Sequence, residues 1–226
     1  MDPRESIISK RFAGIKKLAV VSSKGGVGKS TLSAILALNF SKKADTGLLD
    51  LDAYNPIIPT ILGMNTLEVE ENKGIVPQRF GDLSVLSFAH FAREKPMPLR
   101  GKGLSDAVKE ILSAVIWDTE ILVIDTPPGM GEITLDLLRL LNNSKFLVVT
   151  TPSLLADGAL NRELEFLGKD RVIGVVKNMS SERGAFCVRY SDELENAYGN
   201  VEALMNSEVA EDLKNVADVL WKRLSE

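Results

Sequence analysis

The sequence predicts an α/β fold in which a doubly wound, mostly parallel sheet is flanked by helices on both faces. Six short runs rich in Val, Ile and Leu lack the polar alternation of half-exposed strands, so each is predicted to be a strand buried on both faces. They cover residues 16–23, 46–52, 83–89, 120–127, 145–152 and 171–178. Amphipathic stretches with apolar residues three and four positions apart alternate with these runs and cover 29–43, 104–117, 132–143 and 154–168. Alternation of strands with helices is typical of a parallel sheet.

Length and composition indicate one well-filled domain. The chain has 226 residues, so we expect a single domain over 1–226, in which residues 1–15 are a mobile lead-in to the first strand. No apolar run approaches the roughly 20 residues of a membrane-spanning helix, and the first residues lack the apolar core that a signal peptide is expected to have. A single cysteine excludes an intramolecular disulfide, which favours the cytoplasm. The net charge of −4 gives no general attraction to nucleic acid.

Four polar segments each follow a predicted strand directly. They read "SSKGG", "DLDAYNP", "DTPPG" and "NMSS". Because ligands of such sheets bind at the carboxyl ends of the strands, we expect these segments to meet at one edge and to form the functional site.

The first of these segments continues as "SKGGVGKST" and carries Lys24 and Lys29 on one glycine-rich loop. It fits the phosphate-loop pattern G-x-x-x-x-G-K-[ST], except that Ser23 stands at the first glycine. Backbone N–H groups of such a loop surround a polyphosphate at a helix N-terminus. We expect Lys29 to contact the β- and γ-phosphates and the Ser30 hydroxyl to ligate Mg²⁺. The predicted nucleotide-binding residues of this loop are Gly25, Gly26, Val27, Gly28, Lys29, Ser30 and Thr31.

The loop resembles the deviant Walker A motif, K-G-G-x-G-K-[ST], of the ParA/MinD group of P-loop ATPases. The resemblance implies that the nucleotide is ATP and that the protein hydrolyses it as a homodimer formed through the nucleotide. In that group the early lysine, here Lys24, contacts the ATP of the other subunit. The resemblance therefore implies a catalytic role in trans for Lys24, comparable to that of an arginine finger.

Acidic residues end two of the predicted strands. Asp125, in "ILVIDTPPG", is interpreted as the Walker B carboxylate that holds Mg²⁺ through water. Asp50 and Asp52 end another strand and share one face, as residues i and i+2 do. In related ATPases the second of this pair positions the attacking water and the first lies close to the metal, so Asp52 is assigned to catalysis and Asp50 to the outer shell of Mg²⁺. The alternative is that these aspartates only cap the following turn.

Two residues after the last strands are assigned to the base of the nucleotide. Related proteins use an asparagine amide at the position of Asn178 to hydrogen-bond the adenine edge, and Pro152 is expected to form a wall of the same site. The alternative for Asn178 is an ordinary turn residue. His90 is the only histidine and has no acidic or cysteine partner in any motif, so it is assigned no role.

Four longer segments narrow the resemblance to the Mrp/ApbC branch of iron–sulfur carrier ATPases. They read "GLLDLDAYNPIIPTILGM", "RGKGLSDAVKEIL", "LVIDTPPGMGEITL" and "VIGVVKNMS", and the similarity spans about residues 16–180. The branch implies an Mg²⁺-dependent ATPase linked to iron–sulfur cluster assembly or carriage, with an assembly or client protein as partner.

The chain departs from this branch at one point. The branch usually has a Cys-x-x-Cys pair after the "NMS" segment, whereas this chain supplies only Cys187. We therefore expect the ATPase to be retained and stable cluster binding to be lost. Cys187 is then either a ligand of a labile cluster or a small buried apolar residue.

Three alternative functions belong to other classes. A MinD-like positioning ATPase should end in a basic amphipathic helix, but residues 208–226 carry five acidic and three basic side chains. A ParA-like partition ATPase needs a basic surface, and no cluster is denser than "SKKAD" or "WKRL". The third is a metal-free switch that binds a partner when loaded with ATP.

The apolar stripe of the last segment is expected to pack against the sheet or a partner, and its members are Val209, Leu213, Val216, Leu220 and Leu224.

Overall fold

The computed structural model describes residues 2–91, 101–152 and 156–225. Within these ranges the strands are β1 (Lys16–Val21), β2 (Thr46–Asp50), β3 (Glu70–Glu71), β4 (Ile75–Val76), β5 (Gln78–Phe80), β6 (Leu83–Ser87), β7 (Ile121–Asp125), β8 (Lys145–Thr150), β9 (Val172–Ser180) and β10 (Cys187–Arg189). The helices are α1 (Pro3–Arg11), α2 (Lys29–Phe40), α3 (Ile58–Leu62), α4 (Lys102–Ala114), α5 (Glu132–Leu140), α6 (Ala156–Leu167), α7 (Val201–Met205) and α8 (Glu208–Arg223).

Eight strands form one sheet in the order β10-β9-β8-β1-β7-β2-β6-β5. Neighbouring strands are parallel except for β5, which is antiparallel to β6. Strands β3 and β4 pair separately as a short antiparallel ribbon. The predicted α/β class with a mostly parallel sheet is confirmed. The order reverses at β1, so the loop after β1 lies at the switch point where ligands of such sheets bind.

The strands carry apolar side chains on both faces, and helices cover each face. Strands β2, β6 and β7 are buried along their whole length, as the absence of polar alternation predicts. One face packs against α2, α3, α7 and α8, and the other packs against α1, α4 and α5. The six predicted strands are all present.

The first residues differ from the sequence expectation. Pro3–Arg11 form helix α1 instead of a mobile lead-in. Asp2 caps this helix by accepting the Arg4 N–H at 3.0 Å, and Pro3 occupies the first turn. Ile8 and Phe12 are 0% and 2% exposed and join the apolar cluster with α4 and α5. The segment is therefore part of the layer that covers the sheet.

The predicted bounds of the helices also differ by a few residues. Helix α2 ends at Phe40 rather than at 43, and α5 ends at Leu140 rather than at 143. Helix α4 ends at Ala114, three residues earlier than predicted, because Trp117 packs instead against β2. A Cβ atom at Gly47 of β2 would lie 2.7 Å from the Trp117 ring. The predicted start of the fourth helix at residue 154 lies outside the described residues.

Helix α8 packs as its apolar stripe predicts. Val209, Leu213, Val216 and Leu220 are buried in the cluster that also contains α2. Within the described ranges, no helix has both the length and the apolar character that crossing a bilayer requires.

Candidate functional site

The glycine-rich loop between β1 and α2 depends on two left-handed glycines. Gly26 and Gly28 have φ angles of 75° and 81°, which glycine adopts without the steric penalty of other residues. At Gly28 a Cβ atom would also lie 2.4 Å from Nδ2 of Asn178, whereas at Gly26 it would meet nothing within 4 Å. Gly28, at the N-cap of α2, provides no side chain to cap the helix. Backbone N–H groups at this helix end are therefore available to an anion.

Lys29, in the first turn of α2, forms a buried ion pair with Asp125 at the end of β7. The distance from Lys29 Nζ to Asp125 Oδ1 is 2.9 Å, and the two side chains are 6% and 1% exposed. The Ser33 hydroxyl donates to the same carboxylate oxygen at 3.0 Å. The two residues predicted from the Walker A and Walker B segments are thus in direct contact.

The second oxygen of Asp125, Oδ2, is buried and has no hydrogen-bond partner among the described residues. Burial raises the pKa of Asp125, while the Lys29 ammonium and the hydroxyls of Ser30 and Ser33 lower it. A buried carboxylate oxygen without a donor costs free energy, so the site has an unused ligand position next to Ser30.

Asp50 lies opposite Asp125 in the register of β2 and β7. Burial and the charge of Asp125 raise the pKa of Asp50 to about 8. Both of its oxygens are engaged: Oδ1 accepts the Asp52 N–H at 3.0 Å, and Oδ2 accepts the Ser87 hydroxyl at 2.8 Å. Two buried carboxyl groups side by side favour a cation between or beside them.

Asp52 caps the turn that follows β2. Its Oδ1 accepts the backbone N–H groups of Tyr54 and Asn55, both at 3.1 Å, and the side chain is 8% exposed. The capping contact that the sequence offered as an alternative is therefore present. It fixes the carboxyl group at the same edge of the sheet as Asp50.

Asn178 joins the end of β9 to the glycine-rich loop. Its Nδ2 donates to the Val27 carbonyl oxygen at 2.8 Å, and the side chain is 4% exposed. A cavity of about 210 Å³ lies beside this contact, between α2 and the segment after β10. Pro152 does not line this cavity but lines a neighbouring open one, together with Met179 and Cys187.

Two tyrosines that sequence reasoning did not select, Tyr198 and Tyr190, line the 210 Å³ cavity. Tyr198 OH lies 2.7 Å from Thr31 Oγ1, and Tyr190 is 60% exposed at the rim. Both belong to a stretch without a regular predicted element. The local sequence signal that could have drawn attention to Tyr198 is the glycine that follows it. Gly199 has a φ of 82°, which favours glycine.

Gly199 docks this stretch against α3. Its N–H donates to the Ile61 carbonyl oxygen at 3.1 Å. Gly63, which ends α3 with a φ of 76°, lies so close that a Cβ atom there would be 2.3 Å from the Gly199 carbonyl oxygen. The segment that follows Asp52 thus packs on the segment that carries Tyr198.

Lys24 is exposed at the surface of the loop. Within the described part of the chain, no hydrogen bond or ion pair holds its ammonium. Its backbone is anchored instead, because the Ser22 hydroxyl donates to the Lys24 carbonyl oxygen at 2.9 Å. Gly129 N–H donates to the Ser22 carbonyl oxygen at 2.8 Å, which ties the loop to the Walker B turn.

Cys187, at the start of β10, is partly exposed rather than fully buried. It lines the open cavity that also contains Arg183 and Tyr190. Among the residues that the structure describes, no three His, Cys, Asp or Glu side chains gather in a way that could hold a metal ion.

His90 has a packing role. Its Nε2 lies 3.0 Å from Gln78 Oε1, its Nδ1 faces the backbone of Ser87, and burial lowers its pKa. The ring thereby supports the turn that presents the Ser87 hydroxyl to Asp50.

Comparison with known proteins extends these observations. A ParA family model, described as NUBPL iron-transfer P-loop NTPase, matches residues 15–216. An iron-sulfur cluster carrier protein from Mycobacterium leprae is 36% identical over 166 residues, which are 71% of this chain and 43% of that protein. A cytosolic Fe-S cluster assembly factor NUBP2 homolog from Monosiga brevicollis is 37% identical over 187 residues, 76% of this chain and 66% of that protein.

A solved structure agrees with the fold. A nucleotide-binding protein from Archaeoglobus fulgidus, in complex with ADP, superposes with a TM-score of 0.70 at 24% identity, covering 89% of this chain and 93% of its own. The chain spans about half the length of the iron-sulfur carrier proteins that it matches. Because the family model covers nearly all of the described residues, this protein belongs to the NUBPL iron-transfer P-loop NTPase family of the ParA group.

Proposed function

We propose that the protein is an Mg²⁺-dependent ATPase of the Mrp/ApbC type that acts as a homodimeric switch in iron–sulfur cluster assembly. The observation that carries this proposal is the buried contact between Lys29 and Asp125, whose Oδ2 accepts no hydrogen bond from the part of the chain that the structure describes. A metal-bound polyphosphate at the switch point of the sheet would separate these two groups. The lysine would contact the phosphates and the carboxylate would contact the metal.

Nucleotide binding exchanges the partners of this ion pair. The β- and γ-phosphates replace Asp125 as the anion beside Lys29, while the backbone N–H groups after Gly28 receive the phosphate oxygens. Asp125, no longer paired with Lys29, would then be free to hold the cation. Neither charge is left buried without a partner, which would cost several kcal/mol.

The donor set fits Mg²⁺, which prefers hard oxygen ligands and keeps several waters. Asp125 Oδ2 and the Ser30 hydroxyl would hold the ion, whereas Asp50 would act from the outer shell because its two oxygens already accept hydrogen bonds within the protein. Bound Mg²⁺ neutralises phosphate charge as it develops during transfer.

Asp52 positions the attacking water. Its cap contacts with Tyr54 and Asn55 hold the carboxyl group in a fixed orientation at the sheet edge. A hydrogen-bond acceptor fixed in this way orients a water molecule at little entropic cost.

Lys24 acts on the nucleotide of a second copy of the chain. Its exposed ammonium on an anchored backbone supports this assignment, because the charge is presented outward without side-chain partners in the described residues. Hydrolysis then requires the dimer. The ATP-bound dimer and the ADP-bound monomer are the two states of the switch.

The base is assigned to the 210 Å³ cavity beside Asn178, and adenine is the base that the family resemblance implies. Pro152 stays an outer wall on the neighbouring cavity. We place the protein in the cytoplasm, in agreement with the name of the cytosolic relative from Monosiga brevicollis.

The cluster-related role rests on relatives that are named as cluster carriers. Because this chain has one cysteine, two copies offer two thiolates, half of what a bridging [4Fe–4S] cluster takes. We therefore propose that the protein serves a client or assembly partner without stable cluster binding of its own. The same observation favours a metal-free, ATP-dependent interaction switch as the second candidate.

Phosphate release and molar mass test the proposal together. With ATP and Mg²⁺ the specific activity should rise with protein concentration and the mass by light scattering should double, while EDTA should abolish turnover. A protein that binds ATP without hydrolysing it would favour the interaction switch, and a protein that binds no nucleotide would contradict both candidates.

A further inference from the structure

Glu163, in the middle of α6, is a buried carboxyl group that none of the roles above uses. Its side chain is 3% exposed, whereas its helix neighbours Arg162 and Glu165 are exposed. One carboxyl oxygen, Oε1, has no hydrogen-bond partner among the described residues. Burying a carboxylate costs free energy unless hydrogen-bond donors or a positive charge lie beside it.

The donors that face Glu163 belong to the first residue of the glycine-rich loop. Ser23 and Glu163 line the same small cavity. Burial raises the pKa of Glu163 to about 7, and the hydroxyl and the backbone N–H of Ser23, as donors to the carboxylate, act in the opposite direction. Ser23 occupies the position at which the ordinary phosphate loop has its first glycine. The carboxyl group therefore contacts the loop where this chain departs from that pattern.

The space beside Glu163 is too small for a nucleotide. Ser23, Lys24, Val27 and Glu163 share a cavity of about 10 Å³, room for at most one water molecule. Lys24 is the other charged residue lining this cavity within the described part of the chain. Glu163 thus lies between the loop and the end of β8, and the residue next to Ser23 is the lysine assigned to the partner's nucleotide.

We propose that Glu163 is a positioning residue that fixes Ser23 and thereby sets the direction in which Lys24 leaves the loop. This inference rests on the proposed function, in which Lys24 acts in trans. Lys29 and Ser30 lie at the other end of the loop, so loss of Glu163 should reduce turnover by the dimer far more than affinity for ATP.

Two substitutions separate the contact from mere space-filling. Glu163→Gln keeps an oxygen acceptor for Ser23 without the charge, and Glu163→Leu keeps the volume without an acceptor. Glu165→Gln, on the exposed side of the same helix, is the matched control.

At pH 8 we expect kcat to fall in the order wild type, Glu163→Gln, Glu163→Leu, with a loss on the order of tenfold or more for Glu163→Leu and a KM for ATP within about threefold of wild type. The control should match wild type. An unchanged kcat in Glu163→Leu, or an equal loss of ATP affinity and kcat, would overturn the proposal.

The pH profile provides a readout that packing alone would not change. The carboxylate is the better acceptor, so its contribution is present above the Glu163 pKa of about 7 and is lost as the pH falls through it. The ratio of wild-type to Glu163→Gln kcat should therefore rise between about pH 6 and pH 8, and a constant ratio contradicts the proposal even if Glu163→Leu fails to fold.

Failure of this inference is distinct from failure of the proposed function. If the wild-type protein does not hydrolyse ATP, the proposed function is wrong and this inference falls with it. If the wild-type protein turns over and the Glu163 variants match Glu165→Gln, only the positioning role is wrong.

Discussion

Asn178 and Val27, from the end of β9 and from the glycine-rich loop, are joined by a hydrogen bond of 2.8 Å from Nδ2 to the carbonyl oxygen. The space between them and Gly28 leaves no room for a further carbon atom. The two sides of the candidate site that we assign to the phosphates and to the base are therefore one packed unit, and a change at either residue should be detected at both.

Gly28→Ala tests this unit against Gly26→Ala. Both substitutions place alanine at a positive φ, at a cost of roughly 1–2 kcal/mol, but only the Cβ atom at position 28 would collide with Asn178. Calorimetry should show at least about a tenfold greater loss of ATP affinity for Gly28→Ala, because a displaced loop misplaces its N–H groups. Equal affinities of the two variants would show that the Asn178 contact is unimportant for binding.

Substitution of the two lysines should affect different properties, ATP binding for Lys29 and ATP hydrolysis for Lys24. Lys29→Ala removes the phosphate contact and leaves Asp125 without its counter-charge, so ATP binding should be abolished. Lys24→Ala should bind ATP with nearly the wild-type affinity and lose hydrolysis, because we assign its ammonium to the nucleotide of the other subunit. Calorimetry and phosphate release measure the two properties. Equal loss of binding in both variants would contradict the assignment in trans.

Asp52→Asn should trap a dimer that holds unhydrolysed ATP. Asparagine keeps a side-chain oxygen to cap the N–H groups of Tyr54 and Asn55, so the turn should persist while the negative charge that orients water is lost. Light scattering with ATP and Mg²⁺ reports the mass. A monomeric variant that hydrolyses at the wild-type rate would reduce Asp52 to a turn cap.

Asp50→Asn should stabilise the protein when metal and nucleotide are absent. It removes a buried carboxyl group whose ionisation is disfavoured first by burial and then by the charge of Asp125, so that its pKa is raised to about 8 and folding must leave it protonated near neutral pH. Thermal denaturation in EDTA should shift upward, by about 2–4 °C for each kcal/mol gained. The stabilisation by ATP and Mg²⁺ should shrink. Exposed Asp118→Asn serves as control, and a lower melting temperature for Asp50→Asn in EDTA would contradict a cost of burying the Asp50 carboxyl group.

Anaerobic reconstitution with iron and sulfide tests Cys187. One thiolate in each chain should not retain a cluster through desalting, so the iron content should be low and equal in wild type and Cys187→Ser. A stoichiometric visible absorption that disappears in Cys187→Ser would instead restore the carrier role.

The strands and the edge of the site could be predicted because they depend on local sequence. Unbroken apolar runs identify β2, β6 and β7, and a polar segment follows each strand end that carries a proposed role. Whether Asp50 faces Asp125 depends on β2 lying next to β7, and strand order is a long-range property that periodicity does not contain.

Helix α1 was missed because Ile8 and Phe12 are its main buried contacts, too few to show a helical period. The Glu163 contact was missed because it depends on where α6 crosses the loop after β1.

The close approach of Gly63 and Gly199 has a mechanical consequence. No side chain separates the two glycines, and the Gly199 N–H donates to the Ile61 carbonyl oxygen. Helix α3 and the Tyr198 segment are therefore in direct backbone contact. A displacement of the Tyr198 segment should displace α3 as well. Helix α3 is joined by a short stretch of chain to the turn that Asp52 caps. We therefore expect a ligand in the 210 Å³ cavity to shift α3 and the turn that Asp52 caps, because this contact joins both to the Tyr198 segment.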